Sequence, residues 1–239
     1  MKKYTEGGFF KKYWEWFADP REVEGVAIAN FFSYSAVDVD GFKRKEGLTS
    51  VIDLTQPLEA IWERMRKKFV REQIEKGKRK GLTAVLSDDF ASFESMYGRF
   101  TQQSDFDAVS KHALRNGLLF LAYHESQAVA GGVFIADELH MRALALASRR
   151  FDETTGRMRD LIGEANRLVI WEAIQYGKAN GKTVLDLGGI APESDNAHWR
   201  AVATFKEAFG GERRSAYYYH KIYSPLLRAW MWLRRALSR

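Results

Sequence analysis

Apolar and polar positions change rhythm several times along this chain, and each change marks an element. Short apolar or alternating runs bounded by turn residues predict strands. They are TSVIDL, LTAVLS, LLFLAYHES, AVAGGVFIAD, ELHMRALALAS, KTVLDLGG and SAYYYHKIYS. The second pair of these meets at a turn around Ser126 and Gln127. Pro57 opens a long helix, PLEAIWERMRKKFVREQIEKG, with Leu58, Ile61, Trp62, Met65 and Phe69 on one stripe. After Phe69 the stripe drifts to Val70 and Ile74, which predicts a bend or break near residues 69–71. DDFASFESMYGRFTQ predicts a helix behind Ser87 or Asp88 as cap, and DAVSKHALRNG one closed by Gly117. EANRLVIWEAIQYGKANG predicts a helix closed by Gly181, HWRAVATFKEAFGG another, and Pro225 starts the last. FFKKYWEWFADP (residues 9–20) reads as a short aromatic helix, residues 23–37 as strand or irregular, and RRFDETTGRMRDLIG as a polar loop. From residue 118 onward, strand–strand–strand–loop–helix–strand–helix–strand predicts an α/β fold with a mixed sheet.

Composition adds limits. The 239 residues suffice for one large domain or a domain with an appendage. No apolar run approaches the ~18 residues of a spanning helix. The early lysines are not followed by a clean apolar core and cleavage site, so a secretory signal is not expected. With no cysteine and five scattered histidines, no metal site is expected. A net charge of +6 suits an anionic partner, and the cations cluster in residues 64–81 and 224–239. Each cluster either meets phosphate, on nucleotide, RNA or lipid, or is a solvated helix face. In the terminal helix Leu226, Trp230, Leu233 and Leu237 form a stripe, with Arg228, Trp232, Arg235 and Arg239 opposite. That stripe either docks on the protein's own core or lies on an anionic membrane. A cytoplasmic address follows, peripheral at the inner face of the membrane in the second case.

One cation stands out. In TFKEAFGGE, helical spacing puts Trp199, Val202, Ala203 and Lys206 along one side, widened by Phe205 and Phe209. Lys206 therefore points toward the buried side of its helix. It either snorkels along its stem or meets a phosphate or oxyanion in a cleft. Asp186 leaves a strand toward Gly188 and Gly189, at the carboxyl end where α/β sheets present ligands. It either orients an amine or takes its proton, or caps the turn. Asn166, near the expected helix start, either bonds locally or faces a ligand. Arg157, Arg159 and Arg167 surround that helix entrance, where the dipole favours anions. His198 is a weak candidate base, and the outward members of Tyr217, Tyr218 and Tyr219 either bind substrate or pack.

The words IDLTQPLEAIWERMRKK, GKRKGL, LLFLAYHESQAVAGGVFI, ANRLVIWEAIQYGKANGKTVLDLGGI and TFKEAFGGE, in this order, cover residues 49 to about 223. They resemble the Fem branch of the GNAT superfamily: the FemABX peptidyltransferases and the BioF2-like acyltransferase domains. The resemblance implies a mixed, mostly antiparallel sheet flanked by helices, with residues 1–48 as an abbreviated first half and 49–239 as the transferase domain. It implies transfer of an acyl or aminoacyl group to an amine acceptor, often a nucleotide- or lipid-linked cell-envelope precursor. The donor would be aminoacyl-tRNA or an acyl thioester such as acyl-CoA, with no tightly bound cofactor. Lys206, in its Phe205–Lys206 pair, would stabilise negative charge during attack. Two departures matter. The first half is short, and RDLIGEA (residues 159–165) has one residue too many for the GNAT phosphate loop. That run is either a variant loop or the mark of a donor other than acyl-CoA. A non-catalytic module of the same fold, gripping an anionic partner, is the alternative.

Overall fold

The described residues of this computed structural model are 3–102, 108–151 and 155–237. In chain order they form β1 (Lys3–Glu6), β2 (Lys12–Trp16), β3 (Ile28–Ser33) and β4 (Lys43–Asp53). Then come α1 (Leu58–Arg64), a π-turn (Lys67–Arg71), α2 (Glu72–Arg79), β5 (Thr83–Ser87), α3 (Phe90–Gln102) and α4 (Lys111–Arg115). Three strands follow, β6 (Leu118–His124), β7 (Gln127–Ala136) and β8 (His140–Ser148), and then α5 (Gly156–Ala179). The chain ends with β9 (Val184–Ile190), α6 (Ala197–Glu207), β10 (Glu212–Ile222) and α7 (Pro225–Leu237). The chain divides into two units, residues 1–48 with 214–239, and residues 49–213. The division falls inside β4 and β10.

In the larger unit the strands follow the order β4-β9-β8-β7-β6-β5. The β5–β6, β6–β7 and β7–β8 pairs are antiparallel and β8–β9 is parallel. The sheet is therefore mixed and mostly antiparallel, flanked by helices, as expected. Both of its faces are covered, which is why β6 is a nearly continuous apolar run. Phe120 and Ala122 point into the core shared with α1, α2 and α5, while Leu119 and Leu121 join Phe93 and Met96 of α3. In the smaller unit the order is β1-β2-β3-β10, antiparallel except for β2–β3. Tyr219 is buried there, donating its hydroxyl to Ser35 O at 2.7 Å and accepting from Val37 N at 2.8 Å. Tyr217 packs in the same cluster, and Tyr218 lies edge-on to Phe32.

Several expectations need correction. Residues 12–16 are strand β2 rather than helix, because ladders on both sides satisfy their backbone while Trp16 and Glu15 are buried. The long helix after Pro57 is broken earlier and more fully than its stripe suggests: α1 ends at Arg64 and a π-turn precedes α2. The cap of α3 is Asp89, whose carboxylate accepts from Ser92 N at 3.0 Å, rather than Ser87 or Asp88. The expected loop at 149–163 is largely helix, since α5 begins at Gly156. Asn166 therefore lies well inside α5 rather than near its start.

The double glycine after α6 has a steric cause. Phe209 is fully buried, and Ala208 O accepts from Arg66 N at 2.9 Å, so the chain must turn within a wall of protein. Gly210 does so with φ +79°, and a β-carbon on it would lie 2.8 Å from Arg64 O. Gly210→Ala is expected to lower stability by about 1–3 kcal/mol, from the positive φ and the backbone clash. Urea unfolding measures it; a midpoint equal to wild type would contradict this account of the turn.

Candidate active site

The parallel ladder of β8 and β9 runs from His140↔Val184 to Arg142↔Asp186 and stops there, although both strands continue. At its last rung sits a buried ionic cluster. Asp186 is wholly buried and Arg142 is 4% exposed. The Asp186 carboxylate accepts from Arg142 Nη1, from Thr49 Oγ1 and, at 2.6 Å, from the Gly188 amide. Arg142 Nη1 also donates to Thr49 Oγ1 at 3.1 Å. A buried carboxylate is tolerable only when its acceptor sites are filled in this way. Asp186 was expected either to orient an amine or take its proton, or to cap the turn. Its oxygens accept from three protein donors, one of them the Gly188 amide, so in this structure it serves to position.

What it positions is the glycine turn. The Gly188 amide is drawn onto Asp186 with φ +87°, a conformation that L side chains rarely adopt. A β-carbon there would stand 3.2 Å from Lys206 Nζ and 3.4 Å from Ala143 O. Lys206 comes from the last turn of α6, a helix started by Asn196, whose side chain accepts from His198 N at 2.8 Å. Its ammonium donates to Gly189 O at 2.8 Å. The side chain is half-buried, with Gly189 on the exposed side. Desolvation is the largest influence on the ammonium, Arg142 adds to it, and Asp186 opposes; together they bring its pKa down to about 8. A lysine ammonium has three N–H donors, and the Gly189 carbonyl engages one. Two cations and one carboxylate leave this cluster with an excess of positive charge.

The remaining candidates divide. Phe205 is half-buried, edge-on to Phe209 at 5.5 Å, with the Arg167 guanidinium 5.4 Å from its ring. Arg167 clamps neighbouring elements: its Nε donates to Phe69 O at 2.5 Å and its Nη1 to Gly163 O at 2.7 Å. Arg157 and Arg159 are exposed residues of the first turn of α5, in a different element from the Lys206 group. Asn166 is half-buried in α5, and His198 is exposed at the start of α6. RDLIGEA lies inside α5, so it forms no phosphate-cradling loop. Sequence reasoning missed Thr49 and Arg142. An arginine inside the apolar strand ELHMRALALAS was the available signal, because an unpaired charge does not belong there.

With this geometry in view, similarity to solved structures becomes informative. No family model and no curated protein matches the sequence. The structure of FemX superposes with a TM-score of 0.62 at 11% identity, covering 93% of this chain and 84% of FemX. The chain has a FemX-like fold. The C-terminal domain of a putative lysylphosphatidylglycerol synthetase from Agrobacterium fabrum aligns with a TM-score of 0.57 at 13% identity, over 96% of this chain and 84% of that one. L-PGS from Bacillus licheniformis aligns at 0.51 and 12% identity, over 100% of this chain and 87% of its own. The FemX-like fold is what these likenesses share with the resemblance read from DLGG and FKEAFGG.

Because the Asp186 charge is compensated chiefly by Arg142, Arg142→Met should cost about 3–5 kcal/mol, the penalty for stranding one member of a buried pair. Denaturant unfolding reads this directly. A loss below about 1 kcal/mol would mean that the cluster is not the anchor of the site.

Proposed function

We propose that this chain is a transferase moving an acyl or aminoacyl group from an activated ester or thioester to an amine, with Lys206 as its catalytic cation. The observation that carries the reading is the Lys206 ammonium, held beside the Gly188–Gly189 turn at the end of the β8–β9 ladder. Attack of a neutral amine on a carbonyl places negative charge on its oxygen. A preoriented, partly desolvated ammonium stabilises that charge more in the transition state than in the ground state. Asp186, Arg142 and Thr49 hold the turn, and Phe205, which precedes Lys206 on α6, forms part of the substrate wall in this reading.

The FemX-like fold supports the transferase reading. The name of one similar protein, a putative lysylphosphatidylglycerol synthetase, refers to an aminoacylated lipid. With RDLIGEA helical, an aminoacyl ester such as aminoacyl-tRNA is favoured over acyl-CoA as donor. The acceptor in this reading is an amine on a nucleotide- or lipid-linked cell-envelope precursor. Arg157 and Arg159 supply phosphate contacts from the first turn of α5, which makes binding weaken as salt rises.

The lowered pKa of Lys206 favours a second role, a neutral amine acting as general base, and pH separates the two. A cation is present below about pH 8 and lost above it, so its contribution to turnover falls through that pH. A base is competent only above it, so turnover rises there. The cation reading predicts the falling limb. It also predicts that Lys206→Met, which keeps the unbranched stem, lowers turnover by about 10²–10³ at near-wild-type stability. Product formation from aminoacyl-tRNA and acyl thioesters is followed by mass spectrometry. Near-wild-type rates in the variant reject Lys206, and no product from wild type with any donor favours a non-catalytic binding module.

A further inference from the structure

The smaller unit carries two exposed apolar elements that the transfer chemistry does not use. Phe9 and Phe10 occupy the connection between β1 and β2, 87% and 39% exposed, with their rings edge to face at 5.0 Å. In α7, Leu227 is buried while Leu226, Trp230 and Leu233 are 68%, 51% and 52% exposed. Those three are spaced i, i+4 and i+7, so they form one stripe. Arg235, Leu237 and Trp232 lie in the same helix, but their side chains, like all of Arg239, fall outside the described residues.

Both elements start from one backbone junction. Ala27 N donates to Lys11 O at 2.8 Å, and Ala27 O accepts from Tyr223 N at 2.9 Å and Ser224 N at 3.4 Å. Lys11 directly follows Phe10, and Ser224 directly precedes Pro225 at the start of α7. Ala27 therefore ties the base of the phenylalanine tip to the base of the exposed stripe. The surrounding sequence is cationic: Lys2, Lys3, Lys11 and Lys12 against Glu6 alone, and a tail from Ser224 with arginines and no acid.

We propose that this end of the smaller unit docks on an anionic lipid bilayer, inserting Phe9, Phe10, Leu226, Trp230 and Leu233 at the headgroup boundary. Apolar groups projecting from two elements amid unbalanced cations match a surface that is apolar beneath and anionic above. Tryptophan suits that boundary because its ring is amphipathic. Among the described residues no helix is long and apolar enough to cross a membrane, so the contact is peripheral. This inference stands independently of the transfer reading.

Co-sedimentation of the full chain with vesicles tests it. Binding is expected to phosphatidylglycerol-containing vesicles, much less to pure phosphatidylcholine, and weaker as salt rises. Phe9→Ser with Phe10→Ser should reduce binding roughly tenfold or more, as should Leu226→Ser with Trp230→Ser. The phenylalanine pair is exposed, so its variant keeps the circular dichroism and melting behaviour of wild type even if the helix variant does not. Absent binding, equal binding to both vesicle types, or binding indifferent to the phenylalanine pair overturns the proposal. So does a stripe that pairs two copies of the chain, seen as a Trp230-dependent dimer without vesicle binding, or a surface that retains RNA and not vesicles.

Discussion

The buried ionic contact between Asp186 and Arg142, completed by Thr49, is the constraint from which the candidate site follows. A carboxylate with no solvent must have its lone pairs filled, and here a strand neighbour, a hydroxyl and a backbone amide fill them. The backbone amide belongs to Gly188. Satisfying Asp186 therefore bends the end of β9 into the turn that presents the Gly189 carbonyl. The parallel ladder ends on the same pair of residues, so the ion pair at its last rung also shapes the turn beside Lys206.

Lys206 reads as the complement of that arrangement. Its helix is held at one end by the Asn196 cap and at the other by Phe209 and the Ala208 carbonyl. The ammonium is thus brought to the turn by packing. Its desolvation disfavours the charge, and the neighbouring Arg142 adds to the effect, so an anion arriving there relieves an existing imbalance. An arginine at position 206 would keep its charge at any working pH but would need room for a planar fork. Glycine at 188 has the same logic, since any β-carbon would crowd the ammonium.

Much of the larger unit was legible because periodicity reports burial. Strands such as β6 and β9, and the helix bearing Lys206, declare themselves through apolar runs and glycine stops. The Lys206 orientation was legible too, from its place beside Val202 and Phe209. Where the reading failed, a longer-range effect decided. FFKKYWEWF has enough aromatics for either element, and pairing with β1 and β3 selects strand. Polar Arg157 and Arg159 suggested a loop, yet they occupy the solvent side of α5, whose interior carries Leu161, Ile162 and Ala165. The Arg142–Thr49–Asp186 cluster joins residues distant in sequence, and no local pattern pairs them.

The central claim is that the Lys206 ammonium stands partly desolvated beside the glycine turn, poised to meet negative charge. Titrating the lysine side-chain nitrogens by NMR, with Lys206 assigned by its absence in Lys206→Met, tests this most directly. The account predicts one resonance titrating near pH 8, and a displacement of that pKa upward when a non-reactive anionic donor analogue binds. A Lys206 resonance titrating near the ordinary lysine value of about 10.4, unmoved by any such analogue, would contradict it.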